Sequence, residues 1–232
     1  MNSKNIAFIS IGDDSNRCAE LLVKSIKKTN PDCQTIQIST NGNGNVKNVD
    51  EKYFFDFRPA SFMVNRFESQ IEIIKKFGPT IFCDSDMIIS KNLNKIFEEI
   101  KKYDLIFTER RKDFYIKDTF KNIKFPEFTN KKANEVMPFN AGFIGINNIN
   151  SAKKLLNTCL NLQKRFHFWY GDQISQKKIF DLQKFKILIL DSYYNFTIGN
   201  LNEFNENVYV YHFKGRAKKL MKPFFDKYIG LY

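Results

Sequence analysis

Two aspartates one residue apart, Asp84 and Asp86, stand between Thr80-Ile81-Phe82-Cys83 and Met87-Ile88-Ile89. Carboxylates are costly inside a sheet, so the pattern reads as a strand buried on both faces that surfaces at the acids, where open α/β sheets bind ligands. Spaced i and i+2 on extended backbone, the two would point the same way. That suits a hard divalent cation taking oxygen ligands together with a substrate phosphate. The plainer alternative is a strand ending in a polar turn. A second chemical neighbourhood lies near the end of the chain. His212, one of only 2 histidines, follows the apolar run Val208-Tyr209-Val210-Tyr211 and precedes Lys214, Arg216, Lys218, Lys219 and Lys222. Its imidazole could join the metal while Gly215 and Lys218 face a diphosphate; the alternative is a surface histidine.

Three further groups stand where chemistry is possible. Phe139-Asn140-Ala141-Gly142 opens an apolar strand through Asn147 with small residues that let a ligand come close, or that form a bulge. Asp172-Gln173 follows four rings, His167-Phe168-Trp169-Tyr170, and Asp172 could simply cap a helix. Arg66 lies off the centre of an apolar helical stripe, as a solvated arginine also would.

The elements that must position these residues read as alternating strands and helices. Ile6–Ile11 is a strand ended by Gly12, with Asp13-Asp14-Ser15 turning the chain and capping a helix marked by Cys18, Leu21, Leu22, Ser25 and Ile26 until Asn30-Pro31. Strands follow at Thr35–Ile38 and Tyr53–Phe57, separated by the turn-rich Asn41–Asn45. A helix over Ala60–Phe77 stops at Gly78-Pro79 before the Asp84 strand. Leu93, Ile96, Phe97 and Ile100 mark a helix, and Leu105–Thr108 and Lys186–Leu190 mark strands; Ser151 can cap a helix over Ala152–Cys159. Residues 109–136 have weak periodicity and scattered aromatics, the mark of a functional embellishment. This β-α-β-β-α-β order is of a nucleotide-binding kind.

The chain has 232 residues, enough for one domain with a sizeable core. There is no apolar run of about 18 residues and no secretory leader pattern, so a cytoplasmic location is expected. The 4 cysteines are widely spaced, which argues for buried small side chains over zinc or disulfides. A net charge of +12 invites a nucleic-acid reading. The accompanying excess of Lys, Asn, Ile and Phe is what an AT-rich genome produces, and no nucleic-acid motif appears, so anionic nucleotides and lipid headgroups are the expected partners.

Taken in order, Asp13-Asp14, Arg66, Asp84-Ser85-Asp86-Met87, Phe139-Asn140-Ala141-Gly142, Asp172-Gln173, Tyr194-Asn195 and the H-x-x-G-x-x-K run His212–Lys218 resemble a GT-A-fold glycosyltransferase, most nearly glycosyltransferase family 8. Lys219-Leu220 stands where that family often has Pro-Trp. The resemblance spans nearly the whole chain and implies an α/β, Rossmann-like domain with a mixed, mainly parallel sheet flanked by helices. Residues 1–108 would hold the nucleotide, 109–222 the donor sugar and acceptor, and 223–232 would form an aromatic tail. It implies Mn²⁺ or Mg²⁺ on Asp84, Asp86 and His212, with Asp84 also near the donor ribose. Asp13 would lie near the base and Arg66 near the donor, with Asp14, Ser85 and Gly142 also among the substrate-binding residues. Asn140 and Ala141 would face the donor sugar or acceptor, Asp172 and Gln173 the anomeric carbon, and Gly215 and Lys218 the diphosphate.

The activity implied is sugar transfer from a nucleotide-diphosphate donor, a UDP-sugar, to a glycan or glycolipid, with retention. Asp172 as a base in an inverting enzyme remains the other option. The rival readings are a metal-dependent nucleotidyltransferase, a nucleic-acid-binding protein and a silent nucleotide-sugar-binding relative. After Pro223, a helical tail would align Phe224, Tyr228 and Leu231, either packed on the domain and closing the donor pocket or, with the basic run, meeting an anionic membrane surface that carries a lipid-linked or lipopolysaccharide acceptor.

Overall fold

The structure is a computed structural model that describes residues 4–42 and 46–230; Asn43–Asn45 of the turn-rich loop and Leu231 of the tail lie outside the described residues. In chain order the first half contains β1 (Lys4–Ile9), α1 (Asp13–Thr29), β2 (Cys33–Ser39), β3 (Glu51–Phe54), α2 (Phe62–Phe77), β4 (Thr80–Asp84), β5 (Met87–Ile89), α3 (Asn94–Glu99) and β6 (Leu105–Thr108). The second half contains β7 (Thr119–Phe120), β8 (Ile123–Lys124), α4 (Ala133–Val136), β9 (Phe143–Ile146), α5 (Ile149–Leu160), α6 (Lys164–Phe168), α7 (Gly171–Asp181), β10 (Ile187–Leu190), β11 (Phe196–Thr197), β12 (Val210–His212) and α8 (Met221–Tyr228).

The main sheet has strand order β10-β6-β9-β4-β1-β2-β3. Neighbours are parallel except around β9, which runs antiparallel to β4 and β6. This is the mixed, mainly parallel α/β sheet expected. Side-chain alternation explains why its strands are apolar throughout. Ile6, Phe8, Ile81 and Cys83 enter one core with Leu22 and Ile26 of α1. Ala7 and Phe82 point the other way, into a second core with Phe67, Ile71 and Ile74 of α2.

The stretch expected as one strand through the acids is two. β4 ends at Asp84, Ser85 and Asp86 form a turn, and β5 leaves the main sheet to pair antiparallel with β12 in a small sheet of order β11-β12-β5. Apolar runs on both sides signalled burial but not that each half pairs in a different sheet. The register sets His212 opposite Met87, directly after Asp86. Pairing in the small sheet thus brings the histidine to the aspartates.

Three helix starts differ from expectation. Asp13 and Asp14 are the first residues of α1, where they favour its positive end, and the position before them is Gly12. Asn148, not Ser151, caps α5, its side chain accepting from Ser151 N at 3.0 Å. Asp172 lies inside the first turn of α7, and Tyr170 precedes that helix in the left-handed region at φ 66°. The strand expected over 139–147 is shorter, with residues 140–142 outside regular β structure.

Residues 109–136 form the β7–β8 hairpin and α4 over a core of their own, in which Phe125, Phe128 and Phe166 pack with Ile116 and Ile174. The tail rings that can be described pack onto the domain. Phe224 is fully buried against Tyr211 (4.6 Å between centroids) and Phe213 (5.3 Å), and Tyr228 stacks on Phe204 at 4.3 Å. Burying one such ring contributes about 1.5–3 kcal/mol. These rings sit behind the small sheet and do not line the cleft described next. The four cysteines are buried and free, and no helix among the described residues is long and apolar enough to cross a membrane.

Candidate active site

The C-terminal ends of β1 and β4, the turn after β4 and the end of β12 open onto a cleft of about 860 Å³. At its floor, Asp84, Asp86 and His212 present one ligand atom each within 4.8 Å of one another. His212 Nε2 lies 3.2 Å from Asp86 Oδ1 and 3.5 Å from Asp84 Oδ2. Ser85, between the acids, shares a 2.9 Å hydrogen bond with Ser15 Oγ, tying the turn to the start of α1.

Gly142 makes room for this cluster. A Cβ there would lie 2.5 Å from His212 Cε1 and 2.8 Å from Met87 Cε. The small residue expected to admit a ligand therefore admits the histidine ring. Gly142→Ala should push His212 off the aspartates and lower Mn²⁺ affinity at least tenfold, the scale of losing a ligand's orientation; an unchanged titration with Mn²⁺ would show that the ring is not held there.

Arg66 organises the acids. Buried in the first turns of α2, it donates to Asp84 Oδ1 at 2.9 Å, to the Ala141 carbonyl at 2.7 Å and to Asp172 Oδ2 at 3.3 Å. Burial alone would lower its pKa, but Asp84 and Asp172 outweigh that and raise it. Asp172 is 4% exposed, and loss of water, with Asp84 adding repulsion, lifts its carboxyl above the usual range despite Arg66. Asp86 is held well below that range: burial opposes ionisation, but His212 and Lys218 prevail. Asp172 is placed by a tight turn, since a Cβ on Gly171 would meet the Phe166 carbonyl oxygen at 2.2 Å.

Cations cover the other side. Lys218 Nζ lies 3.2 Å from Asp86 Oδ2. Lys214 is exposed as a residue, and its Nζ donates to Asn140 Oδ1 at 2.8 Å. Loss of water around that ammonium, with Arg110 nearby, brings its pKa down to about 8 against the pull of Asp84. Gly215 takes φ 56° where the chain turns between them, a conformation an L side chain resists.

The structure thus brings together Arg66, Asp84, Ser85 and Asp86 with Asn140, Ala141 and Gly142, and sets Asp172, Gln173, His212, Gly215 and Lys218 around the same cleft. It does not bring Asp13 or Asp14 there. Both are exposed, Asp14 pairs with Arg17, and Ser15 is the residue of that turn that lines the cleft. Two participants carried no sequence signal of their own. Arg110 bonds the Met137 and Phe139 carbonyls at 2.8 and 3.3 Å and also donates to Gln173 Oε1. Phe120, from the 109–136 segment, stacks on Trp169 at 4.3 Å as part of the cleft wall.

Two carboxylates and an imidazole converging at a partly buried point suit Mn²⁺ or Mg²⁺, and the space left for His212 by Gly142 is a built feature of that arrangement.

No protein-family model matches the chain, and no curated sequence does. Solved structures do. The bifunctional glycosyltransferase WbbM aligns with TM-score 0.63 at 13% identity over 99% of this chain and 50% of that one. The galactosyltransferase LgtC, in complex with donor and acceptor sugar analogs, aligns with 0.57 at 14% over 94% and 95%. The glycosyltransferase GlyE in Streptococcus pneumoniae TIGR4 aligns with 0.60 at 15% over 99% and 61%. This chain therefore spans half of WbbM and about three fifths of GlyE. At such identities the likeness establishes the fold, a GT-A-like glycosyltransferase fold, and leaves assignment to family 8 as a proposal.

Proposed function

We propose that this chain is a metal-dependent glycosyltransferase of the hexosyltransferase type, akin to family 8, moving a sugar from a UDP-sugar to a hydroxyl of a glycan or glycolipid with retention. The observation that carries this reading is the convergence of Asp84, Asp86 and His212 with Lys218 in one cleft of a GT-A-like fold. LgtC, solved with donor and acceptor sugar analogs, shares that fold and supports two sugar-bearing substrates.

Breaking a sugar–phosphate bond leaves negative charge on the departing nucleoside diphosphate. Mn²⁺ or Mg²⁺ held by Asp84, Asp86 and His212 would neutralise part of it. Lys218, and Lys214 below its pKa of about 8, would carry the rest. Residues 1–108 would hold the nucleotide and 109–222 the sugar and acceptor. Asp172 has one oxygen on Arg66 and the other accepting from Gln173 N at 2.8 Å, an engagement that favours retention over Asp172 acting as a base. With Gln173 Oε1 taken by Arg110, Gln173 can offer its amide N–H groups to substrate. Because Phe224 is buried, any contact with an anionic membrane rests on the exposed cations Arg216, Lys219 and Lys222.

Incubation with UDP-sugars and Mn²⁺ tests the reading. Release of UDP that stops on chelation is expected; release of pyrophosphate instead would replace it with nucleotidyl transfer. In the same cleft, Lys218→Ala should weaken UDP binding by roughly tenfold or more, the scale of one charge-assisted hydrogen bond, and UMP binding far less. Equal losses for both, measured by calorimetry with Mn²⁺, would assign Lys218 to a general field.

A further inference from the structure

His212 is more constrained than proximity to the aspartates requires. Its other ring nitrogen, Nδ1, lies 2.8 Å from Asn195 Oδ1, and both residues are buried, Asn195 completely. Which atom of the Asn195 amide faces the ring is decided by its other end: Nδ2 points to the Asn140 backbone carbonyl at 3.0 Å, and a carbonyl only accepts. The oxygen must then face Nδ1, and it also accepts from Asn140 Nδ2 at 3.0 Å. Asn140 is oriented in turn by Lys214 Nζ, which donates to its Oδ1 at 2.8 Å.

We infer that Asn195, backed by Asn140, is the positioning residue that holds the His212 imidazole with hydrogen on Nδ1 and turns Nε2 to Asp84 and Asp86. This rests on the metal reading above and extends it. An amide oxygen cannot donate, so Nδ1 carries the hydrogen, and in the neutral ring Nε2 keeps its lone pair. Between two carboxylates Nε2 is the place for a cation, either a proton or a metal ion. The competing tautomer would put a hydrogen on Nε2 and donate it to Asp86, closing the same point against a metal. Asn195 disfavours that state, because Nδ1 without its hydrogen would face the amide oxygen lone pair to lone pair in a buried place. The ring is therefore oriented as a ligand before a metal arrives, with at most the Nε2 proton to displace. Asn140, which the resemblance sets facing the donor sugar or acceptor, lines the cleft and has both polar atoms of its side chain engaged within the protein.

The tautomer can be read directly. With only 2 histidines, long-range ¹H–¹⁵N spectra of the imidazoles are assigned by one control, His167→Asn. Wild-type His212 should show hydrogen on Nδ1. Asn195→Ala should move it toward the Nε2–H form and lower Mn²⁺ affinity, followed by the electron paramagnetic resonance of free Mn²⁺, by about 10–100-fold. Asn195→Asp keeps an oxygen for Nδ1–H but sets its second oxygen against the Asn140 carbonyl, so it should return hydrogen to Nδ1 without restoring wild-type stability. A wild-type His212 with hydrogen on Nε2 and none on Nδ1 would overturn the inference. So would an Asn195→Ala protein with wild-type tautomer and Mn²⁺ affinity. If Asn195→Ala does not fold, the wild-type spectrum still decides. If the expected tautomer is found but wild type binds no Mn²⁺, the metal reading falls while Asn195's hold on the ring stands.

Discussion

Asp86→Asn is expected to abolish Mn²⁺-dependent UDP binding while leaving the fold in place. Asp86 is the most enclosed oxygen ligand of the cluster, with its side chain 11% exposed, and it faces His212 on one side and Lys218 on the other. Replacing it with the isosteric amide keeps the shape of the turn and its backbone bond from Phe213 N to Asp86 O at 2.8 Å. It removes the anion that both a divalent cation and His212 face. A loss of at least a hundredfold in UDP affinity with Mn²⁺ is expected, about 2.7 kcal/mol or more, with only a modest change without metal. Calorimetry reads both quantities. Undiminished Mn²⁺-dependent affinity in a folded variant would remove Asp86 from the metal site.

The second large effect separates two partners of one buried cluster. Arg66 is a single cation holding two acids, so Arg66→Leu leaves Asp84 and Asp172 without their shared partner and should cost about 3–5 kcal/mol of stability. Asp172→Asn should behave oppositely. The folded-state pKa of Asp172 is raised, so its carboxyl contributes most below its unfolded pKa, and that contribution is lost as pH rises through the folded value. Burial makes ionisation of Asp172 costly, and Arg66 keeps Asp84 and the Ala141 carbonyl without it. Asp172→Asn is therefore expected to unfold at or above the wild-type temperature at pH 7, with a more favourable difference than at pH 4, while sugar transfer falls steeply. Thermal unfolding at the two pH values checks this. A destabilisation that grows with pH would mean that the Arg66–Asp172 attraction outweighs burial.

Much of the site could be read from residue order because its parts lie at element ends, where polar residues interrupt apolar runs. Asp84 and Asp86 end one such run, and His212 ends another. What could not be read was pairing between distant segments. The apolar residues on either side of Asp84-Ser85-Asp86 look alike locally, yet one set pairs with β1 and β9 and the other with β12. Gly142 looked like a place for a ligand because the ring that fills the space comes from β12. Arg110 was one more cation in a charged stretch until its bond to Gln173 was visible. Asp13 and Asp14 stood near a strand end in sequence, but the first turn of α1 carries them outward and leaves Ser15 on the cleft. Phe224 and Tyr228 shared a face as expected; their partners, Tyr211 and Phe204, decided that the face is buried.

The cleft is proposed to bind a nucleotide-diphosphate sugar through a divalent cation. Thermal unfolding with UDP-, GDP- and CDP-sugars, each with and without Mn²⁺, tests it most directly, since a ligand that binds only the folded state at a hundred times its Kd adds about 2.7 kcal/mol of stability. The expected result is a rise in Tm with UDP-sugar and Mn²⁺ together that exceeds the sum of the rises with either alone. Equal rises with and without Mn²⁺, or no rise with any of the three nucleotide classes, would contradict it.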